Sequence, residues 1–258
     1  MKICVLGAGK MGTWLTDALC LQHEVAIFDV DKDRLRYVFN TQRLTTFDEI
    51  QDFAPELLIN SVNLKYTIQA FEEVLPYLSE SCILCDIASV KTGFQEFYEK
   101  SGRRFVSTHP MFGPTFANLK DLSEHHAIII SESDHMGKTF FKDFFGSLKL
   151  NIHEYSFDEH DETIAYSLSI PFSSTLVFAA CMKKQDAPGT TFKKHMDIAK
   201  GLLSEDDYLL TEILFNPYTV GQVEQIRKEL KDLLELLNSR DTEGLQSFLE
   251  RVRKNVEG

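Results

Sequence analysis

The chain has 258 residues, 43% hydrophobic and 26% charged, a composition typical of a globular protein with one large or two modest domains. Its 39 acidic and 27 basic residues give a formal net charge of −12, which disfavours binding to nucleic acid or to an anionic membrane surface. No apolar stretch is expected to reach the roughly 18 residues of a membrane span, and the N-terminus lacks a signal-peptide layout. We therefore expect a cytoplasmic protein with neither nucleic acid nor membrane as a partner.

Short apolar segments alternate with amphipathic ones over residues 1–156. The predicted strands are Ile3–Leu6, Val25–Phe28, PELLINSV, SCILCDIAS, RRFVSTHP, HHAIIIS and KLNIHEY. The predicted helices include one after the glycine turn, with Trp14, Leu15, Ala18, Leu19 and Leu21 at helical spacing, and the segments LKYTIQAFEEVLPYL, KTGFQEFYEK and HMGKTFFKDFFGSL. Strands that are apolar on both faces and alternate with helices indicate a parallel sheet covered on two sides. The prediction is an α/β domain with a doubly wound, mostly parallel sheet.

No strand pattern follows residue 156. Long amphipathic segments run to the end of the chain, with breaks near Pro188-Gly189 and Asn216-Pro217, which predict an all-helical second domain over residues 157–258. Several of these segments are too apolar for one small bundle to bury alone. We therefore expect a homodimer formed through the helical domain.

The five cysteines are not expected to form a disulfide framework or a zinc site. Cys82 and Cys85 lie in the apolar segment SCILCDIAS, which predicts a buried strand and not a redox turn, and no second Cys-x-x-Cys pair is present. All five are expected to be small core residues, and no metal is predicted. The full set is Cys4, Cys20, Cys82, Cys85 and Cys181.

The segment GAGKMG, residues 7–12, matches Gly-x-Gly-x-x-Gly between a strand and a helix, which is the context of a Rossmann dinucleotide turn. Gly7 would allow the tight turn, Gly9 the close approach of a pyrophosphate, and Gly12 the packing of helix on strand. Lys10 and Met11 lie in the same turn, where free N–H groups at a helix start favour an anion. We predict all five as cofactor-binding residues.

Asp29 ends the second predicted strand, where a carboxylate accepts hydrogen bonds from the adenosine ribose and repels a 2′-phosphate. This residue favours NAD over NADP as the cofactor. Lys32 and Arg34 follow closely, and either could accept a phosphate, so the sequence leaves NADP open.

A dehydrogenase needs a group that accepts a proton as hydride leaves the substrate, and histidine is the usual choice near neutral pH. Most of the eight histidines lie in polar segments and are expected to be exposed. His109 differs, because it follows an apolar strand at the predicted carboxyl edge of the sheet, where ligands bind in doubly wound folds. The prolines and glycine of STHPMFGPT predict a rigid corner that holds its imidazole. We predict His109 as a catalytic residue.

Ser89 and Lys91 follow the preceding predicted strand at the same edge of the sheet. Ser89 could orient the imidazole of His109, and Lys91 could hold a substrate carboxylate. The alternative is that the serine caps a helix and the lysine is a solvated residue of its first turn.

These segments together resemble the prephenate and arogenate dehydrogenase family. The resemblance rests on GAGKMG, DIASVK, HPMFGP and FDEHDETIAYSLS, and it extends over essentially the whole chain. It implies NAD-dependent oxidative decarboxylation of prephenate to 4-hydroxyphenylpyruvate in tyrosine biosynthesis. In that family the histidine of HPM is the base, the serine of SVK assists it and the lysine binds substrate. These roles carry over to His109, Ser89 and Lys91.

Three positions depart from the family pattern. The HD-x-x-x-A pattern of the family is present as His160-Asp161 to Ala165, but Phe172 replaces a family histidine that follows it. Asp197 and Thr219 occupy the positions where the family uses an arginine to bind a substrate carboxylate. A dianionic substrate would then need other cations, for which the candidates besides Lys91 are Lys193, Lys194, His195 and Arg227.

Several alternatives therefore stay open. The substrate could be arogenate or an amino analogue, and β-hydroxyacid dehydrogenases share the glycine turn and the helical second domain. A nucleotide-binding regulator that keeps the fold without turnover is the alternative from another class. Neither a regulatory domain after the helices nor a chorismate mutase segment before the first strand is expected.

Overall fold

A computed structural model describes residues 1–113 and 121–257. The chain separates by its internal contacts into two units, Met1–Asp161 and Glu162–Gly258. The boundary lies inside the helix that begins at Phe157, whereas the sequence pattern places it just before that helix.

The first unit is built on an eight-stranded sheet with the strand order β3-β2-β1-β4-β5-β6-β7-β8. All neighbouring strands are parallel except β6 and β7, which are antiparallel, so the predicted mostly parallel sheet is confirmed. The three-residue strand β3 was not predicted, because its sequence is polar and short. The strands are β1 (Lys2–Leu6), β2 (Glu24–Phe28), β3 (Gln42–Leu44), β4 (Leu57–Asn60), β5 (Ile83–Asp86), β6 (Phe105–Pro110), β7 (His126–Ile130) and β8 (Asn151–Tyr155).

Helices cover both faces of this sheet and enclose two apolar cores. Leu15 and Phe141 bring α1 and α5 onto one face, whereas Ile50, Phe71 and Phe97 bring α2, α3 and α4 onto the other. Full burial of each such side chain contributes about 1.5–3 kcal/mol. The helices are α1 (Lys10–Leu19), α2 (Phe47–Phe53), α3 (Leu64–Val74), α4 (Phe94–Ser101) and α5 (His135–Ser147), with 3₁₀ turns at Arg34–Tyr37 and Leu75–Tyr77.

The apolar repeat of the sequence did not predict helix α2, although the residues at its start form a capping box. The Thr46 hydroxyl accepts a hydrogen bond from the Glu49 N–H at 3.3 Å, and the Glu49 carboxylate accepts one from the Thr46 N–H at 3.2 Å. This reciprocal capping box stabilises a helix of only seven residues, which is too short for a convincing apolar repeat.

The cysteine prediction is confirmed for Cys4, Cys82 and Cys85, which are buried. Burial raises the pKa of the Cys82 thiol to about 12, so it stays protonated near neutral pH. Cys20 is half-buried, and Cys181 is exposed at the last residue of its helix, so the prediction of a core position is wrong for Cys181.

The second unit contains only helices among its described residues, as the sequence predicted. The predicted breaks are also found, since α8 begins after Gly189 and no helix covers Asn216-Pro217. From Phe157 onward the chain forms α6 (Phe157–Ile164), a π-turn (Ala165–Ser169), α7 (Ile170–Cys181), α8 (Thr190–Leu202), α9 (Asp207–Leu214), α10 (Thr219–Ser239) and α11 (Thr242–Glu257).

The π-turn lies directly before Pro171, near the start of α7. A proline inside a helix has no N–H to donate, and its ring crowds the carbonyl four residues earlier. The wider π-turn accommodates this crowding without ending the helix, so one continuous helical run passes through the proline.

This run, Phe157–Cys181, is the one stretch in the described part of the chain that is long and apolar enough to cross a membrane. It has 25 residues and a mean hydropathy of 1.5 over an 18-residue window, of which 17% is buried. The expectation that no apolar stretch reaches the length of a span is therefore wrong. Length and composition alone do not distinguish a membrane span from a helix that packs against other protein.

Candidate active site

The glycine turn after β1 depends on a backbone conformation that other residues rarely adopt. Gly7 has φ +94°, and its N–H donates to the Phe28 carbonyl at 2.8 Å. A Cβ added to Gly7 would lie 3.1 Å from backbone atoms of Ser61 and Val62. The turn therefore requires glycine here for both conformation and space.

Gly12 allows α1 to pack against the turn that precedes it. A Cβ at Gly12 would lie 1.9 Å from the Gly7 carbonyl oxygen and 2.4 Å from Ser61 Oγ. Gly9 precedes the first residue of α1, and a Cβ there would meet nothing within 4 Å. Lys10 begins the helix and is exposed, and Met11 is half-buried. The backbone beside Gly9 is thus open to a ligand, while Gly12 is closed by the protein itself.

Asp29, directly after β2, is buried against the same turn. Its Oδ2 accepts a hydrogen bond from the Ala8 N–H at 2.7 Å, and its Oδ1 accepts one from the Asp31 N–H at 2.8 Å. Arg34 Nη1 lies 3.9 Å from Asp29 Oδ2, and Arg34 Nε lies 3.5 Å from an Asp31 oxygen. The guanidinium of Arg34 is therefore shared between two carboxylates.

A cleft of about 620 Å³ opens beside this turn. It lies at the carboxyl ends of β1, β2 and β4, where the strand order reverses, which is the usual ligand position in doubly wound sheets. Phe47 and Tyr66 add aromatic surface to the cleft, and sequence reasoning missed both. The other lining residues include Gly7, Gly9, Asp29, Val30, Arg34, Asn63 and Gln69.

His109 lies on β6, opposite Ile128 of β7, and is 7% exposed. The residues after it are anchored, because the Met111 N–H donates to the His126 carbonyl at 2.9 Å and the Phe112 ring packs edge-on against Trp14 at 5.3 Å between centroids. The imidazole is thus held at a constrained corner of the sheet. Pro114 and Thr115, the end of the predicted corner, lie outside the described residues.

The imidazole of His109 is hydrogen-bonded to a second histidine, which belongs to the family segment FDEHDETIAYSLS but was not predicted as a site residue. His109 Nδ1 lies 3.1 Å from Nε2 of His160, and Nδ1 of His160 lies 3.0 Å from Oδ1 of Asp161. The expectation that His160 is exposed is wrong, since it is fully buried. Phe157, buried at the start of α6 beside Phe105, anchors this helix to the core of the first unit.

Both histidines are uncharged near neutral pH. Burial, the neighbouring His160 and the ammonium of Lys91 hold the pKa of His109 well below its usual value of 6.5. Burial also lowers the pKa of His160, and its hydrogen bond to Asp161 partly offsets the effect. A neutral imidazole has one N–H and one lone pair, so His109 can accept a proton.

Lys91 forms a buried ion pair behind His109. Its Nζ lies 2.5 Å from Asp86 Oδ1 and donates to the Thr108 carbonyl at 2.7 Å, while the Tyr98 hydroxyl donates to Asp86 Oδ2 at 2.8 Å. The side chains of Lys91 and Asp86 have no exposed surface. The alternative of a solvated lysine is therefore wrong, and the contact with a substrate carboxylate stays a prediction that this placement does not favour.

Ser89 lies half-buried in the loop after β5. It does not cap a helix, because the residue before α4 is Gly93. Within the described residues no hydrogen bond joins Ser89 to His109, and the partner of the imidazole is His160. The predicted assistance of Ser89 to His109 stays a prediction.

The three departures from the family pattern lie in the second unit. Thr219 is buried, with Oγ1 2.7 Å from Ser169 Oγ. Asp197 is exposed and lies 3.8 Å from the ammonium of Lys200, and Phe172 is half-buried in α7. The hydroxyl of Thr219 therefore serves the packing of the helices.

The sequence profile of the family described as "Prephenate dehydrogenase, nucleotide-binding domain" matches residues 21–150. The chain belongs to this family. The matched range begins after the glycine turn and includes Asp29, Ser89, Lys91 and His109, so the family assignment is independent of the Gly-x-Gly-x-x-Gly motif.

Known relatives agree with this assignment. A probable arogenate/prephenate dehydrogenase of Methanocaldococcus jannaschii is 23% identical over 216 residues, which cover 78% of this chain and 48% of the relative. The chain spans about half the length of this and another curated relative that it matches.

Two solved structures share the fold. A prephenate dehydrogenase of A. aeolicus, in complex with hydroxyphenyl propionate and NAD⁺, aligns with a TM-score of 0.83 at 19% identity over 100% of this chain and 98% of its own. The arogenate dehydrogenase of Synechocystis aligns with a TM-score of 0.77 at 17% identity over 100% and 99%. These likenesses support the mostly parallel sheet followed by helices.

Proposed function

We propose that the protein is an NAD-dependent dehydrogenase that converts prephenate to 4-hydroxyphenylpyruvate and carbon dioxide, with His109 as the base. The observation that carries the proposal is the buried, uncharged His109 at the carboxyl end of β6, in the same sheet whose β1 and β2 bear the glycine turn and Asp29. Family membership supports the same reaction class.

The turn after β1 fits a dinucleotide. The open backbone at Gly9 and the start of α1 would receive the pyrophosphate, and the cleft beside Asp29 would receive the adenosine. Asp29 disfavours a 2′-phosphate, and Arg34 already lies between two carboxylates, which supports NAD over NADP. NAD⁺, when bound, supplies the hydride acceptor.

A residue of this chain accepts the proton of the substrate hydroxyl and later returns it. The ring hydroxyl of prephenate donates a hydrogen bond to neutral His109, which takes up the proton as hydride leaves the carbon that bears the hydroxyl. The electrons of the bond to the departing carboxylate complete the aromatic ring, and the proton returns to the phenol oxygen. A fixed, uncharged imidazole suits both transfers.

Arogenate is the second candidate substrate. It reacts through the same ring hydroxyl and therefore uses His109 in the same way. Asp197 and Thr219 supply no cation for a side-chain carboxylate, so the departures leave the choice between the two substrates open.

The decisive assay measures NADH formation by the purified protein with prephenate and with arogenate, each repeated with NADP⁺. We expect reduction of NAD⁺ with one or both substrates. Failure with both substrates and both cofactors would overturn the proposed function, although the fold would stand.

His109→Asn tests the role of the base. We expect turnover to fall by about 10²–10⁴-fold, the usual contribution of a positioned general base, while NAD⁺ binding measured by calorimetry is retained. His135→Asn, a change at the exposed histidine that begins α5, is the matched control. Wild-type turnover in the His109→Asn variant would contradict the mechanism.

We also propose that the helical unit forms a homodimer. Large apolar side chains are exposed along its helices, and a second copy of the chain would cover them. Light scattering in solution tests this proposal, and the mass of a single chain would refute it. The most exposed of these residues are Val256, Phe215, Val220 and Tyr166, with Val177, Ile198, Leu203, Leu230, Leu234 and Leu237 also more than half exposed.

A further inference from the structure

The side chains of Asp161, His160 and His109 form a hydrogen-bonded series that ends at the proposed base, with both histidines buried and Asp161 15% exposed. The Nδ1–Nε2 distance between the histidines is 3.1 Å, and His160 Nδ1 lies 3.0 Å from the Asp161 carboxylate. His160 has no exposed surface, and no water is needed to connect the three groups.

The chemistry of each group determines the direction of the hydrogen bonds. An ionised carboxylate only accepts, so Nδ1 of His160 must carry a hydrogen that it donates to Asp161. A neutral imidazole has only one N–H, and Nε2 of His160 is therefore left with a lone pair. That lone pair requires a donor, which must be Nδ1 of His109. The remaining nitrogen of His109, Nε2, then has the lone pair that can accept a proton.

We propose that His160 and Asp161 are positioning residues that hold His109 in the tautomer with hydrogen on Nδ1, so that Nε2 faces the substrate hydroxyl as an acceptor. This inference rests on the proposed function and adds to it the reason why the imidazole is ready to act as a base. Neither residue needs to touch the substrate. Their effect passes through His109 alone.

The same series implies a pH-dependent loss of function. If His160 gains a proton on Nε2, it becomes a donor toward His109 Nδ1, and the hydrogen of His109 moves to Nε2. In that arrangement His109 no longer accepts a proton from the substrate. The charged groups that act on this pair are Lys91 and Asp86 from the β5 side and Asp161 from α6.

The tautomer of His109 can be measured by ¹⁵N NMR. The sample is the full chain without substrate, with ¹⁵N in its histidine rings. The His109 and His160 signals are assigned by loss in His109→Asn and His160→Gln. We expect a protonated Nδ1 and an unprotonated Nε2 for His109. A protonated Nε2 in His109 at neutral pH would overturn the proposal.

Variants at His160 separate positioning from packing. The amide oxygen of His160→Gln can accept from His109 Nδ1 in place of the lost nitrogen, whereas His160→Leu offers no acceptor. We expect His160→Leu to give a mixture of His109 tautomers and a kcat lower by about 10²-fold, with unchanged NAD⁺ affinity. His160→Gln should regain most of the lost kcat. Equal losses of kcat in two folded variants would refute the role.

Asp161→Asn and Asp158→Asn form a matched pair on α6. Both remove one negative charge from the same helix, and Asp158 is exposed in its first turn. We expect only Asp161→Asn to disturb the His109 tautomer and to move the acid limb of the kcat profile. The same effect from both variants would assign the change to helix charge and would refute the proposal.

The NMR result and the turnover assay can fail separately. Absence of turnover in the wild-type protein with both substrates would overturn the proposed function, while the expected tautomer would still stand. Turnover with the opposite tautomer would overturn this inference alone. His160→Gln and Asp161→Asn preserve side-chain volume, so they keep the test valid if His160→Leu does not fold.

Discussion

The glycine turn and the His109 site belong to one sheet, but they are constructed from different parts of the chain. The turn is made by backbone, with Gly7 at φ +94° and Gly12 in contact with the Gly7 carbonyl. The His109 site is made by buried side chains, and its partner His160 lies 51 residues further along the chain. The glycines of the turn are close together in the sequence, whereas the side chains of the His109 site are brought together only in space.

The ion pairs of the two regions also differ in their exposure to solvent. Around the glycine turn, Arg34 is 59% exposed in its side chain, so its ion pair with Asp29 is screened by solvent. Behind His109, the Lys91–Asp86 pair has no exposed surface, and loss of one partner would leave a buried charge. We therefore expect mutations to affect folding more strongly at the histidine end of the sheet.

The largest expected effect is that of Lys91→Met. It leaves Asp86 buried without its cation, and removal of one partner of a buried pair costs about 3–5 kcal/mol of unfolding free energy. Urea denaturation measures this loss. The control is Lys100→Met, which removes one partner of an exposed ion pair with Glu96 and should change stability little.

The Lys91→Met result also decides between the two roles of this residue. If Lys91 instead holds a substrate carboxylate, stability would stay near wild type and KM would rise with kcat unchanged. The double variant Asp86→Asn/Lys91→Met removes both charges, and we expect it to regain part of the lost stability.

A smaller effect is expected from alanine in the glycine turn, where two neighbouring positions should respond differently. Gly12→Ala forces a Cβ to within 1.9 Å of the Gly7 oxygen unless the helix moves, and such overpacking costs about 1–3 kcal/mol. Gly9→Ala meets no protein atom within 4 Å and should lose only about 0.5–1 kcal/mol from the cap position.

NAD⁺ titration gives a second comparison of Gly9 and Gly12, through the affinity of each alanine variant for the cofactor. Gly9→Ala should still weaken binding, because its methyl group would enter the open space beside Gly9 where we propose that the pyrophosphate binds. Equal stability of the two alanine variants would contradict the packing described for Gly12.

The pH dependence of folding gives a further test of the histidine end of the sheet. Burial lowers the pKa of both His109 and His160 from 6.5, so the unfolded chain takes up protons as pH falls through 6.5 while the folded chain does not. The free energy of unfolding therefore falls below pH 6.5, by at most about 1.4 kcal/mol per histidine for each pH unit.

Urea denaturation above and below pH 6.5 measures this slope. The double variant His109→Gln/His160→Gln should show a smaller one. An unchanged slope in that variant would show that other groups cause the pH dependence.

Much of the fold follows from local sequence patterns. The apolar strands, the glycine turn and the change from alternating elements to helices after residue 156 were all predicted, and the structure has them. The two elements that the sequence patterns missed, β3 and α2, are short, with three and seven residues, and have too few positions to show a period.

The candidate site was predicted less completely. The HPM segment identified His109, because a proline-rich corner after an apolar strand is a local feature. The role of Lys91 was inferred from its position in the chain, yet its ammonium lies in an ion pair with Asp86 and on the Thr108 carbonyl. Only the packing of α4 and β6 against β5 could reveal that arrangement.

By itself, the sequence determined the class of fold and the position of the glycine turn and indicated His109 as the candidate base, since each depends on residues that are close together in the chain. Only the tertiary structure shows that His160 and Asp161 form a hydrogen-bonded series with His109 and that Lys91 is buried in an ion pair. The physical reason is that hydrogen bonds and burial act over a few ångströms, and only folding brings α6 to the edge of β6.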